Sequence, residues 1–208
     1  MLSQTNKFVF VHVPKTGGNS LQTVLETYSD DRRVRTLGFQ NLTDTFDIKG
    51  AVTGSKHFTS DQYIDRLGLE AFMSLKKVTF VRHPQDRVMS FYFAPFRWMR
   101  PGLHGGGANP TFDKREFLHL LPRIGTATHY LSHRRRLIDF DVIGRFENYA
   151  ADFNRILQAC GVLDAPSTPP HVNRRVADPM VHWDREMLDA VEAQFADDFR
   201  HFGYKLRR

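Results

Sequence analysis

The sequence predicts an α/β fold with a mainly parallel sheet flanked by helices, and three observations carry that expectation. Short runs rich in β-branched and aromatic residues, at 8–13, 50–54, 78–81 and 140–146, alternate with stretches of helical periodicity. That alternation is the mark of strand–helix–strand units, whose strands pair in parallel. Two of the strands, 8–13 and 78–81, lead directly through turn residues into helices. The composition is also that of one globular domain: 208 residues, 41% hydrophobic before the 14 glycines are added, enough to bury a single sizeable core.

Residues 8–13 read as a buried strand that stops at Pro14, followed by a Lys-Thr-Gly-Gly turn. Leu21, Val24, Leu25 and Tyr28 then fall at helical spacing. Residues 50–54 form a weaker strand leading to Lys56, His57 and Phe58, and should end at the same sheet edge as the first strand. Ser60 is the expected N-cap of a short helix that Gly68 ends. After the strand at 78–81, Pro84 sits where a first-turn proline belongs in the next helix. The triple glycine in 101–110 cannot hold regular structure cheaply, so that segment is the expected flexible loop. Helices are expected over 112–121 and 125–135, a third strong strand over 140–146, and a helix over 148–160 closed by Gly161. A Pro-rich turn at 166–170 precedes a final amphipathic helix from Asp184 to near Phe199. No internal repeat or second domain is apparent, so 1–208 is read as one domain with 94–135 as a helical and loop insertion.

The net charge of +6 and a pI near 9.6 point to an anionic partner. Arginine outnumbers lysine 21 to 8, and its planar fork suits phosphate and sulfate oxygens. The single cysteine, Cys160, excludes a disulfide framework and any cysteine-based zinc site. The first apolar run is far shorter than the roughly 20 residues of a membrane span, and no charged leader precedes it. A cytoplasmic protein is the expectation.

Two loops carry the chemistry. In the first, Pro14-Lys15-Thr16-Gly17-Gly18-Asn19-Ser20 joins a strand to a helix. Glycines there let backbone N–H groups turn inward, and the helix N-terminus adds partial positive charge, which together cradle a phosphate-like group. Lys15 places a full charge on the bound oxygens, while Thr16 and Ser20 offer hydroxyls. The lysine precedes the glycines, so this is not a Walker A loop. In the second loop, Arg82 stands at the carboxyl end of a buried strand, where open α/β sheets place their ligand crevice. A magnesium-dependent phosphoryl-transfer site would place an aspartate there. Ser90 lies two helical turns further on, and Arg87, between them, reads as part of a solvated helix face.

Together the loops resemble a family. The 14–20 segment is similar to the 5′-phosphosulfate loop of the sulfotransferases, and Val81-Arg82-His83-Pro84-x-x-Arg87-x-x-Ser90-x-Tyr92 is similar to their 3′-phosphate motif. The nearest likeness is to the branch containing heparan sulfate 2-O-sulfotransferase and its bacterial relatives. The resemblance implies a P-loop-like core that binds 3′-phosphoadenosine 5′-phosphosulfate (PAPS), needs no metal, and releases 3′-phosphoadenosine 5′-phosphate (PAP). It assigns Pro14, Lys15, Thr16, Gly17, Gly18, Asn19 and Ser20 to the 5′ end, and Arg82 and Ser90 to the 3′-phosphate. Ile143-Gly144-Arg145-Phe146-Glu147 and the 171–175 stretch resemble later family segments, the latter offering Arg174 or Arg175 as further contacts. The 94–135 region becomes the acceptor wall and lid, and the acceptor a glycan or small alcohol.

Transfer to a hydroxyl needs a base, and histidine suits neutral pH. His57 is placed best of the ten histidines, and its Gly54-Ser55-Lys56-His57 context resembles the Gly-x-His of the heparan sulfate branch. Lys15 is the second catalytic candidate, as the cation facing the leaving phosphate. His129 and His133 have helical i,i+4 spacing, but the glutamate of a zinc motif is missing between them. A P-loop kinase and a basic nucleic-acid-binding module using Arg134-Arg135-Arg136 remain the alternatives; a nucleic-acid partner is not expected, because no recognised binding motif is present.

Overall fold

A computed structural model describes residues 1–34, 45–48, 52–93, 112–164, 169 and 181–208. In chain order the elements begin with β1 (Leu2–Ser3), β2 (Phe8–Val11), α1 (Gly18–Leu25), β3 (Asp31–Val34), β4 (Thr45–Ile48) and β5 (Val52–Ser55). Next come α2 (Ser60–Leu67), α3 (Leu69–Met73), β6 (Lys76–Val81), α4 (Pro84–Tyr92), α5 (Lys114–Leu120) and α6 (Ala127–Tyr130). The chain continues through β7 (Ser132–His133), β8 (Arg136–Leu137), β9 (Val142–Arg145), α7 (Tyr149–Ala159), α8 (Arg185–Gln194) and α9 (Ala196–Phe202). They form two units: Met1–Arg82 with His129–Val172, and His83–Thr128 with Asn173–Arg208. Among the described residues no helix is long and apolar enough to cross a membrane.

The first unit is built on the expected mainly parallel sheet, in the order β1-β2-β6-β9. β2 pairs with β6 and β6 with β9 in parallel, and only β1 runs antiparallel. Every residue of β2 is buried, as are Val78 to Val81 of β6, because both faces of a parallel sheet are covered. Phe8, Phe10, Val78 and Phe80 pack against Leu21 and Leu25 of α1 and against Phe153 and Ile156 of α7. Each such side chain contributes about 1.5–3 kcal/mol on burial. The register sets Val11 beside Thr79 and Val81 beside Arg145, so the three parallel strands end at one edge.

Of the segment expected as a strand over 50–54, the described residues 52–54 do not join that sheet. β5 instead closes a separate antiparallel sheet, β3-β4-β5. Three residues separate β4 from β5, too few for the dozen or more of a parallel crossover, so these two strands pair antiparallel. The helix expected over 125–135 is also absent. α6 is one turn, and β7 and β8 form a hairpin whose two-residue turn, Arg134-Arg135, has φ of +48° and +66°. Positive φ at both turn positions matches strand twist, but the usual Asn-Gly signal is missing, which hides the hairpin in the sequence.

Helix ends follow the expected chemistry with small shifts. Thr59, not Ser60, caps α2, in a reciprocal capping box with Gln62, and Gly68 ends the helix with φ +83°. Pro84 opens α4 as anticipated, and the final helix begins at Arg185, with Asp184 as its cap. The final helix is two, α8 and α9, separated at the buried Phe195.

In the second unit, Val88 and Tyr92 of α4 pack with Phe117 and Leu120 of α5 and with Met187 and Val191 of α8. Arg87 is not on a solvated face. It is wholly buried, donates to the Gly125 carbonyl at 2.7 Å and lies 3.8 Å from Asp198, between the rings of Phe91 and Phe195. Asp198 in turn accepts from Ala127 N, Thr128 N and the Thr128 hydroxyl. The 101–110 loop with His104, the 171–175 stretch and most of the 166–170 turn lie outside the described residues, as does 94–100.

Candidate functional site

The end of β2 supplies the first half of the site. Pro14 and Thr16 are buried, and the Thr16 hydroxyl donates to the Val13 carbonyl at 2.8 Å, closing the loop on itself. Lys15 has φ +68° and Gly17 φ +84°. A lysine in the left-handed region costs on the order of 1–3 kcal/mol, and such strain collects at functional positions. Left-handed residues alternating with an ordinary one turn successive N–H groups toward one side, which makes an anion-binding concavity. α1 starts directly behind it, with Gly17 as an N-cap that has no side chain to close the helix end.

Both glycines are required by their neighbours. A Cβ on Gly17 would lie 2.9 Å from Phe146 Cδ2 and Tyr149 Cε2. A Cβ on Gly18 would lie 2.4 Å from Cδ2 and Nε2 of His12. The loop therefore rests directly on four rings, those of Phe146, Tyr149, His12 and Phe10.

His57 reaches this loop by a route other than the one its strand suggested. Ser55 ends β5, and a turn closed by Phe58 N on the Ser55 carbonyl delivers Lys56 and His57. His57 Nδ1 lies 2.9 Å from the His12 carbonyl oxygen. A carbonyl only accepts, so Nδ1 carries the hydrogen and the lone pair of the neutral ring is on Nε2. Lys56 Nζ donates to Asn19 Oδ1 at 3.5 Å, so Lys56, His57 and the first turn of α1 come together.

His12 was not singled out from the sequence. Its ring is buried, stacked on Phe10 at 5.2 Å and tilted against His57 at 4.6 Å. Burial above all, then the charges of His57 and Lys56, hold its pKa well below the usual histidine range against a smaller opposing effect of Gln22. The ring is therefore neutral near pH 7. The only sequence signal for it was a polar residue inside an apolar strand run.

β6 supplies the second half. Arg82 is half-buried, with its guanidinium 4.2 Å from the centre of the Phe146 ring. Asp86, on α4, binds Arg207 at 2.9 Å. Phe146 follows β9, and Tyr149 opens α7 and donates from Oη to the Gly17 carbonyl at 2.8 Å. Burial pushes the Tyr149 hydroxyl up to about 12, so it stays a donor. Ser90 is half-buried on α4 and belongs to the second unit, whereas Arg82 belongs to the first. His129 and His133 do not share a helix face; His133 sits in the hairpin with Nδ1 2.6 Å from Asp61.

Lys15 and Gly17 in left-handed backbone at the start of α1, Arg82 after the adjoining parallel strand and the His57 ring against His12 all belong to one α/β unit. The chain belongs to the sulfotransferase family: its sequence matches the model described as "Sulfotransferase family" over residues 1–205. The match is to the family as a whole and does not distinguish among its branches. Comparisons with curated proteins and with solved structures each returned no match. The family is one of P-loop-like sulfuryl transferases, in accord with the parallel sheet and its strand–loop–helix unit.

Proposed function

We propose that the protein transfers a sulfuryl group from PAPS to a hydroxyl or amine of an acceptor such as a carbohydrate or a smaller alcohol. The observation that carries this reading is the 14–20 loop, with Lys15 and Gly17 in left-handed backbone at the start of α1, beside a strand that ends in Arg82. This donor set suits a ligand with two separated anionic ends. Lys15, the backbone N–H groups of 16–18, Asn19 and Ser20 hold the 5′ end, and Arg82 holds the 3′-phosphate. Thr16 acts through its backbone, because its hydroxyl hydrogen is committed to Val13. Ser90 is the further 3′-phosphate candidate by its motif.

Bound there, the donor supplies an activated sulfur whose bond to the 5′-phosphate oxygen breaks as the acceptor oxygen bonds to it. Lys15 neutralises the charge that grows on the departing phosphate, and Lys56 adds a second cation beside Asn19. His57 Nε2 takes the acceptor proton while Nδ1–H stays on the His12 carbonyl, which favours the imidazolium. The neutral His12 ring adds no competing charge.

The test is thermal stabilisation by 3′,5′-adenosine bisphosphate and by ATP, each with and without Mg²⁺. The bisphosphate at a hundred times its Kd should stabilise by about 2.7 kcal/mol with no need for metal. Stabilisation by ATP with Mg²⁺ alone would overturn the reading in favour of a kinase.

A further inference from the structure

Phe146 is one ring in contact with both anion-binding loops. Its face lies under the Arg82 guanidinium, 4.2 Å from the ring centre, and its edge is so close to Gly17 that a Cβ there would meet Cδ2 at 2.9 Å and Cε2 at 3.0 Å. Tyr149, three residues on, makes the same connection by a second path. Its hydroxyl donates to the Gly17 carbonyl at 2.8 Å, and its ring stacks on Phe80 at 4.8 Å and 26°. Phe80 and Arg82 are two residues apart along the same strand direction, so the end of β6 reaches Gly17 by two aromatic links.

The topology makes this arrangement specific. β9 runs parallel to β6 with Arg145 beside Val81, so residue 146 emerges next to residue 82. A 3-10 turn at Phe146–Asn148 then leads into α7, whose first residue is Tyr149. Tyr149 is itself held by Phe146 and Phe153, at 5.7 and 5.8 Å. Packed rings thus span the distance between the two loops.

We propose that Phe146 and Tyr149 are positioning residues that set the separation of the 14–20 loop and Arg82, and so make the protein prefer a nucleotide phosphorylated at both its 3′ and 5′ ends over one phosphorylated at 5′ alone. The proposal rests on the nucleotide reading given above. Phe146 holds the Arg82 guanidinium in place before the ligand arrives, so less side-chain freedom is lost on binding a 3′-phosphate. Tyr149 holds Gly17 and therefore acts on the 5′ end.

The experiment is isothermal calorimetry of the whole chain with 3′,5′-adenosine bisphosphate and with 5′-AMP. It compares wild type, Phe146→Leu, Phe146→Met, Phe146→Tyr and Tyr149→Phe, with the melting temperature of each recorded. Phe146→Leu should weaken the bisphosphate by about 3- to 30-fold, the range of a lost cation–π contact, and weaken 5′-AMP distinctly less. Phe146→Met, closer in volume, should do the same should the leucine variant fail to fold. Phe146→Tyr keeps a ring face and should restore the preference. Tyr149→Phe removes one oxygen and should weaken both nucleotides by about two- to tenfold. A merely structural role would lower the melting temperature and weaken both nucleotides in proportion. An unchanged ratio of the two affinities in Phe146→Leu and Phe146→Met, or no rescue by Phe146→Tyr, overturns the proposal while leaving the PAPS reading intact. A wild type with no preference for the bisphosphate overturns both.

Discussion

Gly18→Ala tests the packing beneath the loop. The added methyl would sit 2.4 Å from Cδ2 and Nε2 of His12 and 3.0 Å from Phe10 Cζ, where ordinary contact begins near 3.4 Å. The imidazole would have to move by about 1 Å, yet it is 3% exposed, backed by Phe10 and flanked by His57. Overpacking of this kind costs about 1–3 kcal/mol. Gly18 lacks the positive φ of Gly17, so alanine is conformationally allowed and recovers part of the ~1 kcal/mol by which it exceeds glycine in helices. The net loss should be about 1–2 kcal/mol, or a fall in Tm of about 2–8 °C for a chain of this length. The assay is calorimetric Tm of Gly18→Ala, His12→Ala and the double variant. His12→Ala alone leaves a cavity and costs about 2–5 kcal/mol, but it also makes room for the methyl. The double variant should therefore be more stable than the sum predicts by at least about 1 kcal/mol. A Gly18→Ala protein as stable as wild type, or strict additivity, would refute the argument that the His12 ring supports the loop.

Lys15→Ala and His57→Ala should each abolish turnover of PAPS against a panel of alcohols and glycans, with loss of the base alone costing about 10²–10⁴ in rate. Only Lys15→Ala should weaken bisphosphate binding strongly, and equal weakening by both would argue against a base role for His57. His12 titrates with a pKa depressed below its unfolded value of 6.5, so the unfolded chain takes up its proton first. Its contribution to stability is full above that value and falls with decreasing pH, by up to about 1.4 kcal/mol per pH unit. Chemical denaturation between pH 7.5 and 5 should show that slope in wild type and a shallower one in His12→Phe. In the second unit, Arg87→Met should destabilise by about 3 kcal/mol, because it strands a buried carboxylate that is then held only by Ala127 and Thr128; an unchanged Tm would show that this burial carries no energetic weight.

Much of the first unit was legible in the residues because its signals are local. An all-apolar run at 8–11, proline at 84 and glycine at 161 each favour a backbone conformation that depends little on distant contacts. The 50–54 segment shows the opposite case: a strand stands at Val52–Ser55, but it pairs with β4 rather than with the main sheet, a choice made by non-local contacts. The Arg134-Arg135 turn carries no sequence mark of its positive φ, so a hairpin was read as helix. Arg87 had the polarity of a surface residue and is buried only because Asp198 and the Gly125 carbonyl, both distant in sequence, meet it.

The sequence by itself determined the class of the molecule and marked the 14–20 and 81–92 segments, since residue types at fixed spacing after a strand are legible without the fold. What only the tertiary structure decided is how those segments are held. The tautomer of His57 comes from a carbonyl 45 positions earlier, the neutrality of His12 from burial, and the link between Gly17 and Arg82 from rings at 146 and 149. Such relations need three strands ending at one edge, and the strand pairing that brings them there is non-local.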